Sequence, residues 1–256
     1  MASRFFVEND FRSGTVSFSG PEFHHMIRVT RHQVGDKVRL FDGTGREADA
    51  ELTFVTRHAA TLDVSKIETV PEESGPRLSI AIPIPKASRA GWLIEKAVEL
   101  GVTNIIPLKT SRSVVDPRGS KLDTLRQSII AASKQCGRSR LMTISPVVEW
   151  AEFLKKHCDG KSVVVAHPGG ASFTGSLVSE SLAEVAAEAK TKKAATNPEM
   201  IAVIGPEGGF TVEEITQVVS KGARLVSLGP RLLRVETAGA MMASVFVSAQ
   251  LADMAD

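Results

Sequence analysis

Two short stretches of this 256-residue chain become bare of side chains just where an apolar run ends. Ile201-Ala-Val-Ile204 leads into Gly205-Pro-Glu-Gly-Gly209, and a second stretch reads Leu228-Gly-Pro-Arg-Leu-Leu-Arg-Val-Glu-Thr-Ala238. Gly205, Gly208 and Gly209 allow a ligand to approach the backbone closely and permit positive φ, while Pro206 stiffens the entry. Glu207 would set a carboxylate near the strand end, where it could hold a ribose hydroxyl or face a cation. Such loops at the carboxyl ends of neighbouring strands are what a small ligand needs in an α/β sheet. One loop alone is weak evidence for a site, since it also reads as a tight strand–helix turn. Two favour a ligand site.

Other chemistries find no support. The dinucleotide pattern G-x-G-x-x-G is absent. Gly160-Lys161-Ser162 ends like a phosphate loop, but Lys155 stands where its first glycine belongs, and the segment enters a strand. The six histidines lack metal-ligand spacing, so no metal is expected. There is no G-x-S-x-G elbow, and neither Cys136 nor Cys158 has a nearby partner that marks a nucleophile.

Charge is unevenly spread. Residues 77–145 carry 12 Lys and Arg against 4 Asp and Glu, a net +8, whereas residues 1–76 and 146–256 each net −3. A basic middle between acidic flanks points to a polyanion partner. Two unpaired cysteines and the absence of a secretory core near the amino terminus predict a reduced, cytoplasmic protein. No stretch reads as a membrane span of about 20 apolar residues.

The elements that must carry these loops follow from periodicity. Pro71-Glu-Glu-Ser-Gly-Pro76 is a short polar break that predicts two domains, 1–72 and 76–256. Before it, strands are expected over Lys37–Phe41, Ala48–Val55 and Ala60–Ile67, with a short helix from Pro21. A small barrel with an inserted helix fits. After the break, strands at Leu78–Ile84, Val102–Leu108, Ser162–Ala166, Met200–Ile204 and Arg224–Leu228 alternate with helices. The last helix, from about Thr237 to Met254, is apolar over much of its circumference and is expected to be buried. The fold class is therefore α/β with a mostly parallel sheet.

Taken together, Glu95-Lys-Ala-Val-Glu-Leu-Gly101, Gln135-Cys-Gly-Arg138, Ile204–Gly209, Leu228–Ala238 and His24-His-Met-Ile-Arg-Val29 resemble the ribosomal RNA small subunit methyltransferase E family of the SPOUT superfamily. The resemblance covers nearly the whole chain. It departs at Lys134, where an acid is common, and at Val235, where threonine is common. It implies an N-terminal PUA-like β-barrel that binds RNA and a C-terminal SPOUT α/β domain with a deep trefoil knot. It also implies S-adenosyl-L-methionine as cofactor, a homodimer, and methylation of uracil N3 in 16S rRNA of the small ribosomal subunit. By position, the cofactor residues are Ile204, Gly205, Glu207, Gly209, Leu228, Gly229, Leu233 and Thr237.

Such a reaction needs orientation, charge and a way to remove the N3 proton. If the imide titrates about two units above ambient pH, presenting it as the anion costs about 2.7 kcal/mol. A guanidinium offsets part of that at the flanking carbonyl oxygens, and Arg234 is the first candidate. Its structural alternative is an ion pair with Glu236 at the start of the last helix. Glu236 and Glu95 are candidate proton acceptors. For RNA, the basic segment offers Lys86, Arg89, Arg112, Arg118, Arg138 and Arg140, and the barrel offers Arg4, His24, Arg28 and Arg31. Two other readings stay open: a SPOUT enzyme acting on another RNA position, and a non-catalytic RNA-binding assembly protein.

Overall fold

Alternating apolar and polar residues build the first sheet, and continuous apolar runs build the second. The computed structural model describes residues 3–8, 11–71, 75–86, 88–114, 119–158, 162–191 and 198–253. Residues 72–74 of the break, Arg118, Gly160 and Lys161, and Met254 lie outside them. The chain forms two compact units, Met1–Glu73 with Ile130–Leu141, and Ser74–Ile129 with Met142–Asp256.

The first unit contains β1 (Arg4–Phe6), β2 (Gly14–Ser19), α1 (Gly20–His24), β3 (Lys37–Phe41), β4 (Arg46–Val55), β5 (Ala59–Val64) and β6 (Glu68–Thr69). The sheet runs β1-β3-β4-β5-β2, with β6 on β4, and every pair except β1 with β3 is antiparallel. Val16 and Phe18 of β2, Ala48, Ala50 and Leu52 of β4, and Leu62 and Val64 of β5 all point into one core, as period-two alternation requires. Phe23 and Met26 close that core from the helix. Pro21 stands in the first turn of α1, and the chain then widens over His25–Val29, where the Thr30 amide donates to the His25 carbonyl five residues back. Three strands here were legible; β1, β2 and β6 were not.

Residues 130–141 are tied to this unit by backbone bonds, from the Gly45 amide to the Ser139 carbonyl at 3.1 Å and from the Leu141 amide to the Gly43 carbonyl at 2.9 Å, and by charged side chains. Lys134 Nζ lies 2.9 Å from both Glu22 carboxylate oxygens and over the Phe5 ring. Arg4 donates to Ser139 Oγ at 2.8 Å and to Glu47 at 3.2 Å. Burial opposes the Glu47 charge, but hydrogen bonds from Ser139 and Arg39, with Arg4 alongside, bring its pKa below the usual carboxylate range.

The second unit holds β7 (Arg77–Ile82), α2 (Ser88–Glu99), β8 (Asn104–Lys109), α3 (Gly119–Cys136, whose end belongs to the first unit), β9 (Thr143–Ile144) and β10 (Val148–Glu149). There follow α4 (Trp150–His157), β11 (Ser162–Ser172), α5 (Gly175–Thr191), β12 (Glu199–Val203), α6 (Val212–Ser220), β13 (Arg224–Ser227) and α7 (Val235–Asp253). The sheet order is β10-β8-β7-β12-β11-β13, with β9 on β8, and all pairs are parallel. Ile80, Ala81, Ile82, Met200–Val203 and Val163–Val165 are buried, as expected of strands covered on both faces.

One expectation is overturned here. The glycine loops follow β12 and β13, which are not neighbours, because β11 lies between them. Strand order in space depends on where each crossover returns, which local sequence does not encode. Strand β11 is also longer than expected. It pairs with β13 through Ala166, bulges, and pairs again from Ala171. A β-carbon on Gly170 would come within 2.4 Å of the Val226 nitrogen, so only glycine fits that bulge.

Helix α7 corrects two readings. Val235–Ala252 is long and apolar enough, by length and composition, to cross a membrane. It packs instead on α2, α5 and β7. Only one side is buried, through Ala238, Met242, Ala243, Phe246 and Ala249, whereas Met241, Ser244, Ser248 and Leu251 are exposed. A β-carbon on Gly239 would lie 3.1 Å from Leu93 and 3.3 Å from Ile82, so the close approach of α7 to its neighbours depends on that glycine.

Candidate functional site

Because every strand of the second sheet runs the same way, the segments after β7, β8, β12 and β13 and the β11 bulge all emerge at one edge. Ile204 begins the first loop as a buried residue whose amide donates to the Ala81 carbonyl at 2.9 Å. The loop then turns. The Gly209 amide donates to the Pro206 carbonyl at 2.8 Å, and Gly209 has φ +68°, a conformation costly for other residues.

Gly205 has a different constraint. A β-carbon there would meet the Phe210 ring at 2.9 Å, and that ring lies in turn against Trp150, 5.3 Å between centroids. Helix α6 begins with the capping box its sequence promised. Thr211 accepts from the Glu214 amide, and Glu214 accepts from the Thr211 amide. The other Glu214 oxygen accepts from the Ser111 amide at 2.8 Å, which ties the segment after β8 to this turn.

The second loop starts with half-buried Leu228 and exposed Gly229, φ +103°. Leu232 is 93% exposed, Leu233 is half-buried, and Arg234 and Thr237 are exposed. The Arg234 carbonyl accepts from the Ala238 amide at 2.9 Å, but its guanidinium has no hydrogen bond or ion pair among the described residues. The pairing with Glu236 suggested as its structural alternative is therefore not formed. Arg89, from the first turn of α2, takes that place. Its Nη1 lies 3.7 Å from Glu236 Oε2 and its Nη2 lies 3.5 Å from Glu207 Oε1. Glu236 is buried, and its Oε2 receives no hydrogen bond among the described residues. Val235, one of the two departures, is buried at the start of α7.

The structure does not bring Glu95 to this group. It lies six residues past Arg89, about 9 Å along α2, exposed and bonded to Lys96 at 2.9 Å. Arg112 is exposed, but its guanidinium is tied to the first loop, where Nη1 donates to the Gly208 carbonyl at 2.8 Å. In the first unit, Arg4 is occupied by Glu47 and Ser139, Arg138 is half-buried, and Arg140 bonds the Thr44 and Val70 carbonyls. His24, Arg28, Arg31 and, in the second unit, Lys86 are exposed. Sequence reasoning missed the bridge made by Arg89 and the His167–Gly170 bulge. The second had a signal, since Gly169 and Gly170 follow the run Val163–Val165 much as Gly208 and Gly209 follow Ile201–Ile204.

Residues 72–247 match the RNA methyltransferase domain, and residues 18–65 match the RNA methyltransferase PUA domain. Ribosomal RNA small subunit methyltransferase E of Bacillus subtilis is 30% identical over 229 residues, spanning 88% of this chain and 86% of that protein. This chain belongs to the ribosomal RNA small subunit methyltransferase E family. Solved relatives share the whole fold. The Neisseria gonorrhoeae family member bound to S-adenosyl methionine superposes with a TM-score of 0.80 at 25% identity, covering 98% of each chain. A Legionella pneumophila methyltransferase in complex with the same cofactor reaches 0.82 at 28% identity, covering 97% of this chain and 98% of that one. The family's α/β fold, with a PUA-like domain ahead of a mostly parallel sheet, is the one described above.

Proposed function

We propose that this chain transfers a methyl group from S-adenosyl-L-methionine to uracil N3 of a uridine in 16S rRNA of the small ribosomal subunit. The observation that carries this reading is the pair of bare loops, Ile204–Gly209 and Leu228–Thr237, set at one sheet edge beside a buried carboxylate oxygen that lacks a donor. Those features fit the cofactor. Ile204, Gly205, Gly209, Leu228, Gly229 and Leu233 offer backbone and apolar contacts, while Glu207 and Thr237 offer side-chain oxygens. When bound there, the cofactor supplies a sulfonium methyl as the electrophile.

The chain's own residues do the rest. Arg234, exposed and with its guanidinium unpaired among the described residues, stabilises charge on the uracil carbonyl oxygens as N3 loses its proton. Glu236 Oε2 accepts that proton. Glu95 has no part in the reading, because its place on α2 keeps it from the loops. RNA is held by His24, Arg28 and Arg31 on the barrel, residues 1–72, and by Lys86 of the methyltransferase domain, residues 76–256. Arg112 acts on the cofactor loop, and Arg4 and Arg138 support the barrel fold.

The same reading makes the protein a cytoplasmic homodimer. The exposed row Thr237, Met241, Ser244, Ser248 and Leu251, spaced at helical intervals on α7, supports pairing with a second copy. It also puts a trefoil knot in the carboxyl-terminal part, a reading supported by the insertion of β12 between β7 and the earlier strand β11. The test is methyl transfer from labelled S-adenosylmethionine to small subunits that lack the modification, followed by nucleoside analysis. N3-methyluridine is expected. Label on a ribose oxygen or another base would replace this reading with a different methyl acceptor.

A further inference from the structure

We propose that Arg89 is a positioning residue for the methyl transfer: through a long ion pair at Oε2 it holds the Glu236 carboxylate in place for the substrate base, and it joins that carboxylate to the cofactor loop through Glu207. The inference rests on the function proposed above.

Three elements meet at this guanidinium. Arg89 comes from the first turn of α2, Glu207 from the loop after β12, and Glu236 from the first turn of α7. At 3.5 and 3.7 Å, the two contacts are ion pairs rather than well-made hydrogen bonds. Glu207 is half exposed and free to turn, whereas the Glu236 side chain is only 8% exposed. A buried carboxylate oxygen without a hydrogen-bond donor is costly, because an ion pair at 3.7 Å replaces only part of what water supplied. Glu236 Oε2 is such an atom. It stands at the start of the helix that follows the second ligand loop, so a donor brought by a ligand completes it.

The uracil N3–H is that donor. Its proton passes to Glu236 Oε2, N3 bonds to the methyl carbon, and the carbon–sulfur bond breaks with its electron pair left on sulfur as a neutral thioether. Arg89 takes no part in these bond changes. Its role is to keep Glu236 from turning away, and reacting groups misplaced by about 1 Å lose on the order of 100-fold in rate.

The test is a double-mutant cycle with R89Q, E236Q and the double variant, measured with tritiated-methyl S-adenosylmethionine and small subunits lacking the modification. Arg89→Gln is expected to lower kcat by about 10- to 100-fold and to change the KM for S-adenosylmethionine by less than about threefold. The double variant is expected to be no slower than E236Q alone, because Arg89 acts through Glu236. Independent effects, with the double variant slowed by the product of the two single factors, overturn the inference. So does an R89Q enzyme within about twofold of wild-type kcat. If R89Q melts well below wild type, the same cycle with R89K distinguishes coupled from independent effects. A wild-type protein that transfers no methyl group contradicts the methyltransferase reading instead, which keeps the two failures apart.

Discussion

The Phe210 ring fills the space that a β-carbon on Gly205 would need, with the nearest ring atom 2.9 Å from that position. The loop's course and the aromatic packing beneath it are therefore one structure. Trp150 stacks on Phe153 and lies against Phe210, and its indole donates to Gln217 at 3.0 Å, so the ring has little room to retreat. Gly205→Ala should displace the loop, weaken S-adenosylmethionine binding by about tenfold or more, and cost about 1–3 kcal/mol in stability. Calorimetric titration and urea unfolding measure both. Wild-type affinity in this variant would show that the loop tolerates the shift or does not hold the cofactor.

The Arg234 guanidinium is exposed and pairs with none of the described residues, so removing it leaves no orphaned partner among them. Arg234→Ala should reduce kcat by about 100- to 1,000-fold, the loss typical of one transition-state donor. Cofactor affinity should change far less. Single-turnover methyl transfer beside equilibrium binding separates the two effects, and unchanged turnover would remove Arg234 from the mechanism.

Lys134 departs from the family pattern, yet it has a defined partner. Its Nζ pairs with Glu22, whose Oε2 also accepts from the Phe6 amide at 3.0 Å. Lys134→Glu would set two carboxylates against each other in a half-buried place. It should destabilise the protein by about 1–3 kcal/mol, measured by urea unfolding. A neutral outcome would mean that Glu22 finds another cation.

Much of this was legible from the chain. The capping box of Thr211 and Glu214 is a local pattern, and so are the glycine loops, because turn chemistry depends on adjacent residues. Helix α4 was not legible. Its eight residues bury Trp150, Phe153 and Leu154 on one side, too short a run to separate from a loop by periodicity. Arg89 was read as a solvent-facing charge for phosphate, because its two carboxylate partners are distant in sequence and only the tertiary fold brings them together. The position of β11 between β12 and β13 was hidden for the same reason.

His25 gives the first unit a pH dependence. Burial lowers its pKa, Lys134, His32 and His24 lower it further, and Glu22 acts against them. The unfolded chain therefore binds more protons than the folded one as pH falls through the ordinary histidine value of about 6.5. This contribution is intact above that value and is lost below it. Melting temperature should fall between pH 8 and pH 5.5, and His25→Gln should flatten the slope. An equal slope in both proteins would place the dependence elsewhere.

A crystal structure of the protein with S-adenosylmethionine tests the central claim most directly. Density for the cofactor should lie between Ile204–Gly209 and Leu228–Thr237, with its methyl group on the side of Arg234 and Glu236. Density elsewhere, or these loops bare at saturating cofactor, would contradict the account.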